Sequence, residues 1–420
     1  MARKKQQRLE VMIDALGARG DGVAHANGQT LFVAGALAGE HCLVEPGKKR
    51  GDGHEARLIE RLETSPQRRE PPCPHASRCG GCVLQHAEPE LYAAWKHTNL
   101  VETLARRGFD ADLVAPLESA PPASRRRLRF AVARRNQGYS PAFRAGHSHD
   151  LVAIDQCMIA EPGLLDAAAR LCTALGPSGI REIELTATPS GIDALVHASS
   201  DPDLALAERL PDLASEAGLA RLAWKASGGP VYVVAQQAEP AMRFGPVTLT
   251  LPPGAFVQPT DWGEKRIVSL IRPLLAKCTN VADLYAGCGA LGFALLPGPK
   301  LSMFESVDAM TVAARTAARF AGFDITATTR DLEIQPLMAA DLERFDSVVL
   351  DPPRNGARST CETLASSDVG TLAYVSCHPG SFSRDARILA DGGYALERVW
   401  PIDQFLWSHH LELVAHFVRR

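Results

Sequence analysis

The chain has 420 residues, of which 46% are hydrophobic and 22% charged, and its formal net charge at pH 7 is −3. That length accommodates two or three domains of ordinary soluble composition. The charge excludes a protein that is basic throughout, and no apolar run approaches the roughly 20 residues that a bilayer span requires. The opening residues, Met1 to Arg8, are basic with no apolar core behind them, so no signal peptide is expected. The ten cysteines are then expected in a reducing cytoplasm, where clustered thiols serve metals or catalysis more often than disulfides.

Residues 1–68 read as a small β-barrel. Short β-like runs at 9–13, 30–33, 41–45 and 55–62 alternate with glycine turns. Barrels of this size often bind single-stranded nucleic acid, and a loop carrying Lys48, Lys49 and Arg50 would suit a phosphate backbone. By itself that loop reads equally well as a solvated hairpin tip. The stretch from Gly17 to Ala24, Gly-Ala-Arg-Gly-Asp-Gly-Val-Ala, resembles a TRAM domain, an RNA-binding barrel of the OB type appended to RNA-modifying enzymes. Residues 64–69 read as the linker out.

Residues 69–250 form the expected central α/β domain. Cys73, Cys79 and Cys82 fall within ten residues of a Pro- and Gly-rich loop. A tetrahedral or cubane site needs a fourth ligand. Cys157 is one candidate, and His75 or His86 would instead complete a Cys3His zinc site. Spacing alone leaves zinc and iron–sulfur equally open. Between these ligands, residues 125–149 carry seven arginines and no acid. Alternation of Leu128, Phe130 and Val132 predicts a strand with its arginines exposed, a local positive face for a phosphate backbone. Helices are predicted over 163–175 and 203–217.

Residues 251–420 carry the chemistry. After a predicted helix over 262–275, a strand over 281–285 runs into Ala286-Gly287-Cys288-Gly289, a turn that lets a ligand approach the backbone closely. The next strand, 301–304, ends at Glu305, placed for ribose hydroxyls. Asp331 follows one segment later, within reach of an adenine amino group. This layout suits a nucleoside cofactor such as S-adenosylmethionine, and the full phosphate-binding Gly-x-Gly-x-x-Gly pattern is missing. Two further strand ends feed the same place: Leu350-Asp351-Pro352-Pro353-Arg354, and Tyr374-Val375-Ser376-Cys377-His378-Pro379. A lone cysteine after a strand is more often a core thiol. Beside a glycine turn and an Asp-Pro-Pro turn it reads as a nucleophile.

These motifs, with His410-Leu411-Glu412 near the C-terminus, stand in the order found in the RNA 5-methyluridine methyltransferases, and the chain resembles that family over essentially its whole length. With a TRAM-like N-terminus it is most similar to the 23S ribosomal RNA branch. The resemblance implies a Rossmann-like class I methyltransferase domain at the C-terminus. It implies S-adenosylmethionine held by Gln258, Tyr285, Gly287, Gly289, Glu305, Asp331 and Asp351. It also implies Cys377 as nucleophile, Glu412 as base, and a four-iron four-sulfur cluster on Cys73, Cys79, Cys82 and Cys157, with structural zinc as the alternative. RNA, foremost 23S ribosomal RNA, is the expected partner of a cytoplasmic monomer with no membrane association.

The sequence departs from the family at several positions. His378 stands where Asn is usual after the nucleophile, and Ala317 and Ala321 stand on a helix that often carries Asn. Gln258-Pro259-Thr260 replaces Gln-Val-Asn, and Phe405-Leu406-Trp407-Ser408 replaces Phe-Pro-x-Thr. These changes bear on substrate choice. A transfer-RNA target, an RNA cytosine-5 methyltransferase and a silent RNA-binding protein are the competing readings. The cytosine enzymes pair a second cysteine in the Asp-Pro-Pro turn, where this chain has none. A silent protein would have lost Cys377 or Glu412.

Overall fold

The computed structural model describes residues 8–420 except 137 and 147, so the basic run at residues 1–7 lies outside the described residues. The chain divides into two compact units. One comprises Met1–Asn99, Arg144–Val152 and Phe405–His409, and the other comprises Leu100–Phe143, Ala153–Gln404 and His410–Arg420. Among the described residues no helix is long and apolar enough to cross a membrane.

The larger unit holds the strand ends singled out above. Its C-terminal sheet is built from β1 (Asn280–Leu284), β2 (Lys300–Glu305), β3 (Ile325–Thr329), β4 (Ser347–Leu350), β5 (Thr371–Ser376), β6 (Tyr394–Asp403) and β7 (Glu412–Arg419). They lie side by side in the order β3-β2-β1-β4-β5-β7-β6, with the two-residue strand Glu118–Ser119 beyond β6. β1 to β5 are parallel, and β7 runs antiparallel between β5 and β6. Strands buried on both faces read as continuous apolar runs, as Val348-Val349-Leu350 and Leu372-Ala373-Tyr374-Val375 do. Successive side chains point to opposite faces. Val348, Leu350, Leu372 and Tyr374 therefore join one core with Leu364, Phe382 and Leu389. Val349, Ala373 and Val375 join the other with Ile267, Ile271 and Phe293. Each such side chain contributes about 1.5–3 kcal/mol by leaving water, so a charge at Val349 would break the sheet. The strand order reverses between β1 and β4, which is where ligands bind in open α/β sheets.

A second sheet in this unit places Gly138–Arg144, Arg127–Arg135, Ile180–Thr188, Gly191–Ala198, Leu219–Ala226 and Val231–Gln236 side by side. The parallel step from Gly191–Ala198 to Leu219–Ala226 crosses through the helix Leu204–Glu216. That helix and Leu164–Leu175 cover one face of the sheet, around Phe130, Leu171 and Trp224.

In the other unit, a six-stranded sheet is formed by segments between Leu9 and Glu63. The N-terminal run pairs at Leu9–Met12 with residues 41–44 and at Ala15–Leu16 with residues 22–23, so one segment supplies both outer strands. The basic residues expected in a loop lie instead on the strand His41–Arg50. Arg50 there pairs with Asp21 (2.6 Å) and stacks over Phe32. Lys48 and Lys49 stay exposed.

Candidate active site

Two acids build the glycine turn after β1. Asp283, fully buried in β1, accepts the Gly292 N–H (2.9 Å), and Glu305 at the end of β2 accepts the Gly287 N–H (2.9 Å). Burial pushes the Asp283 carboxyl up to about 8, and the charges of Asp351 and Glu305 add to the rise. Gly287 has φ of 56° and Gly289 has φ of 86°, the left-handed region that favours glycine. A Cβ at Gly287 would meet nothing within 4 Å, so the backbone here is open to a ligand. Glu305 also accepts Val307 N–H and the Ser306 hydroxyl through Oε1. A carboxylate has about four acceptor positions, which leaves capacity for a ribose hydroxyl. The turn therefore fits a nucleoside cofactor. Asp331 is exposed beyond β3, with Oδ1 holding the N–H groups of Glu333 and Ile334. Tyr285 sits at φ 60° and its hydroxyl is hydrogen-bonded to Thr360 (2.8 Å), so its phenol anchors the turn to the helix Arg358–Ala365.

The second strand end, after β4, presents Asp351. Gln258 Nε2 donates to Asp351 Oδ2 (2.8 Å), and Gln404 Nε2 donates both to Gln258 Oε1 (2.8 Å) and to Glu412 Oε2 (2.8 Å). Gln258, Gln404 and Glu412 are 5%, 2% and 2% exposed. The other carboxyl oxygen, Glu412 Oε1, is buried with no hydrogen-bond partner among the described residues. Burial raises the Glu412 carboxyl far above the usual carboxylate range, and the neighbouring Asp351 raises it further. Asp351 is itself raised, chiefly by burial, with the Gln258 hydrogen bond opposing. The charge of Arg354 opposes the rise at Glu412. Arg354 is exposed and its guanidinium lies 3.4 Å from His410 Nε2.

Cys377 follows β5, partly exposed, at the mouth of the helix Pro379–Asp391. Burial, with the charges of Glu412 and Asp351, pushes its thiol up to about 12, against the opposing pull of Arg354 and a backbone N–H. This sulfur is therefore held as a thiol at neutral pH. His378 caps the helix: Ser381 N–H donates to His378 Nδ1 (3.0 Å), as it would to the side-chain oxygen of an asparagine. Thr260 likewise caps Asp261–Leu274 by accepting the Gly263 N–H (2.9 Å). His378 and Thr260, two of the departures, thus both serve as helix caps.

Of the residues named from the sequence, Asp351, Gln258 and Glu412 meet in one hydrogen-bonded line, and Cys377 feels both carboxyls. Sequence reasoning missed Gln404, which joins them. Its only signal is a glutamine placed just before Phe405 and eight residues before Glu412.

The arginine strip differs from expectation. Arg126 is buried and donates to Glu264 (2.6 Å) and to the Gln258 carbonyl (3.0 Å). Arg127 and Arg129 both pair with Glu184, and Arg129 also with Glu182 (3.3 Å). Glu184 stands directly opposite Arg129 on the paired strand. Counting charge along one strand overlooks the acids that its neighbour supplies. Arg134 and Arg135 remain exposed.

Cys73, Cys79 and Cys82 are partly exposed in their loop, where Gly80 N–H donates to the Arg144 carbonyl (2.9 Å). Cys157 belongs to the other unit and packs against its central core. Among the described residues no group of three or more His, Cys, Asp or Glu is gathered to hold a metal, and no disulfide links these thiols. The donor set is of the thiolate kind that zinc and iron–sulfur clusters both accept.

The sequence pattern of the tRNA (uracil-5-)-methyltransferase family matches residues 303–420. An "uncharacterized RNA methyltransferase" of Rhizobium meliloti is 36% identical, over 96% of this chain and 98% of its own length. A 23S rRNA (uracil(1939)-C(5))-methyltransferase of Chromohalobacter salexigens is 35% identical, over 95% of this chain and 87% of its own. In fold, the chain is similar to the crystal structure of Pyrococcus abyssi tRNA (uracil-54, C5)-methyltransferase in complex with S-adenosyl-L-homocysteine. The TM-score is 0.76 at 21% identity, covering 97% of this chain and 99% of that one.

Proposed function

The chain belongs to the RNA (uracil-5-)-methyltransferase family, and from that premise we propose that it methylates C5 of a uridine in 23S ribosomal RNA through a covalent bond from Cys377 to C6. One observation carries the reading: the buried Glu412 has one oxygen held and the other with no hydrogen-bond partner among the described residues, and its charge bears on a thiol at the lip of the site. A carboxyl kept in that state is poised to take up a proton.

Uracil C5 is a poor nucleophile. Cys377, partly exposed, gives its proton to solvent as its sulfur adds to C6, and the C5=C6 electrons move towards C5 and O4. S-adenosylmethionine, which the glycine turn and Glu305 would hold, would supply the methyl group to C5 and be left as S-adenosylhomocysteine. Glu412 then removes the C5 proton through Oε1. The C–H electrons restore C5=C6, the C6–S bond breaks and Cys377 leaves as thiolate. Gln258 links Asp351 to the base through Gln404, and Asp351 and Gln258 are proposed to line the cofactor side. Placing the three strand ends together supplies proximity, worth several kcal/mol in such reactions. The N-terminal sheet with its TRAM-like motif is one proposed RNA-holding surface, and Arg134 and Arg135 on the central sheet are proposed phosphate contacts of their own.

Cys73, Cys79, Cys82 and Cys157 are proposed as ligands of a four-iron four-sulfur cluster. Four thiols without a disulfide support this reading, and structural zinc is the alternative. Iron with acid-labile sulfide in anaerobically purified protein is the expected result; stoichiometric zinc without sulfide contradicts it.

The test of function is to map 5-methyluridine in ribosomal and transfer RNA from cells lacking the protein. One 23S position is expected to lose its methyl group. Loss confined to transfer RNA would move the substrate, and loss of 5-methylcytidine would overturn the reaction.

A further inference from the structure

The line Glu412–Gln404–Gln258–Asp351 joins two carboxyls through two amides, and the geometry fixes how each amide points. Glu412 Oε2 and Gln258 Oε1 both accept from Gln404 Nε2, so both of its hydrogens are committed. Its oxygen lies 3.5 Å from the Thr260 hydroxyl, which already accepts Gly263 N–H and so donates its own hydrogen to the amide. The space comes from Gly263. A Cβ there would stand 2.3 Å from Gln404 Oε1 and 3.0 Å from Gln404 Cβ. Glycine is a poor helix former, yet it occupies the first turn of Asp261–Leu274, where only its missing side chain admits the amide.

We propose that Gln404 is a positioning residue of the proton-abstraction step: it grips Glu412 by Oε2 so that Oε1 is the oxygen presented to the substrate, and through Gln258 it ties that carboxyl to Asp351. This rests on the reading that Glu412 is the base. The charged and titratable groups bearing on Glu412 are Asp351 after β4, Arg354 in the turn that follows, and Cys377 after β5. Gln404 adds a hydrogen bond that favours the charged carboxylate. Its removal leaves the base protonated to higher pH and free to rotate.

The test uses the full-length protein, S-adenosylmethionine with a labelled methyl group, and ribosomal RNA from cells lacking the protein. In Gln404→Met, formation of the methylated protein–RNA adduct is expected to stay within about threefold of wild type. Its release is expected to slow about tenfold or more, part of the 10²–10⁴ that general bases contribute. The pH midpoint of release moves upward. Gly263→Ala keeps all four side chains and pushes the amide together with the Thr260 hydroxyl, 2.8 Å from that Cβ, so it gives the same slow release if Gln404→Met fails to fold. Proportional slowing of both steps, or an unmoved pH midpoint in the folded variants, overturns the proposal. Glu412→Gln is run alongside. If it releases RNA normally, the base assignment falls; if it traps the adduct while Gln404→Met and Gly263→Ala do not, only the role of Gln404 falls.

Discussion

The strand-end site and the arginine-bearing strand of the central sheet both announce themselves by concentrated charge, and the fold treats the two in opposite ways. On the central sheet Arg127 and Arg129 are matched by Glu182 and Glu184 from the adjacent strand, and Arg126 by Glu264. At the strand ends a buried carboxyl, Glu412, and a partly buried one, Asp351, are joined through amides, and among the described residues one oxygen of Glu412 has no hydrogen-bond partner. Satisfied charge holds a structure together. Charge kept buried and unsatisfied costs stability and persists where chemistry uses it.

The comparison is sharpened most by the strand-end variants. Cys377→Ala is expected to bring methylation below detection while leaving the protein folded and able to bind S-adenosylmethionine; normal turnover would remove the thiol from the mechanism. Glu412→Gln is expected to cut turnover by about 10²–10⁴ and to accumulate a denaturation-resistant adduct, read on a gel. The same variant should be more heat-stable than wild type. Folded Glu412 keeps its proton to higher pH than an unfolded carboxyl, whose value is about 4.3. The folded state therefore binds more protons, and stability falls as pH rises from that value through the raised one. The melting gap between variant and wild type should widen over that window, by about 2 °C for each ~1 kcal/mol. A gap that closes as pH rises would contradict the account.

The central sheet should respond the other way. Glu184→Gln removes the shared partner of two arginines and is expected to cost about 1 kcal/mol, discounted because both guanidinia reach solvent. Thermal unfolding reads that loss, with little change in turnover by the folded protein. The smallest effect is expected from Arg134→Ala and Arg135→Ala. Each should lower the dependence of RNA affinity on salt by about 0.7 in log–log slope, the value of one phosphate contact on a single strand. Loss of turnover in Glu184→Gln without loss of stability would erase the distinction between the regions.

Much of the site was legible because its signals are local. A glycine turn, Asp351-Pro352-Pro353 and Ser376-Cys377 each pair a strand end with its chemistry inside a few residues, and the apolar runs before them give the parallel strands. What was not legible depends on partners distant in the chain. Gln404 acquires its meaning from Gln258, 146 residues away, and from the side chain that Gly263 lacks. Arg129 is neutralised by a residue 55 positions on. Lys48, Lys49 and Arg50 looked like a loop because glycines flank them, yet the ladder to Gly53–Glu63 continues through that stretch. His378 looked like a lost asparagine until the ring nitrogen was seen to cap the helix.

The central claim is a transient bond between Cys377 and a pyrimidine. Its most direct measurement is the mass of the protein after reaction with S-adenosylmethionine and substrate RNA carrying 5-fluorouridine, which has no C5 proton to remove. A stable protein–RNA adduct with the methyl group attached, mapped by peptide mass to Cys377 and absent in Cys377→Ala, is the predicted result. Unmodified protein, or an adduct on another residue, would contradict it.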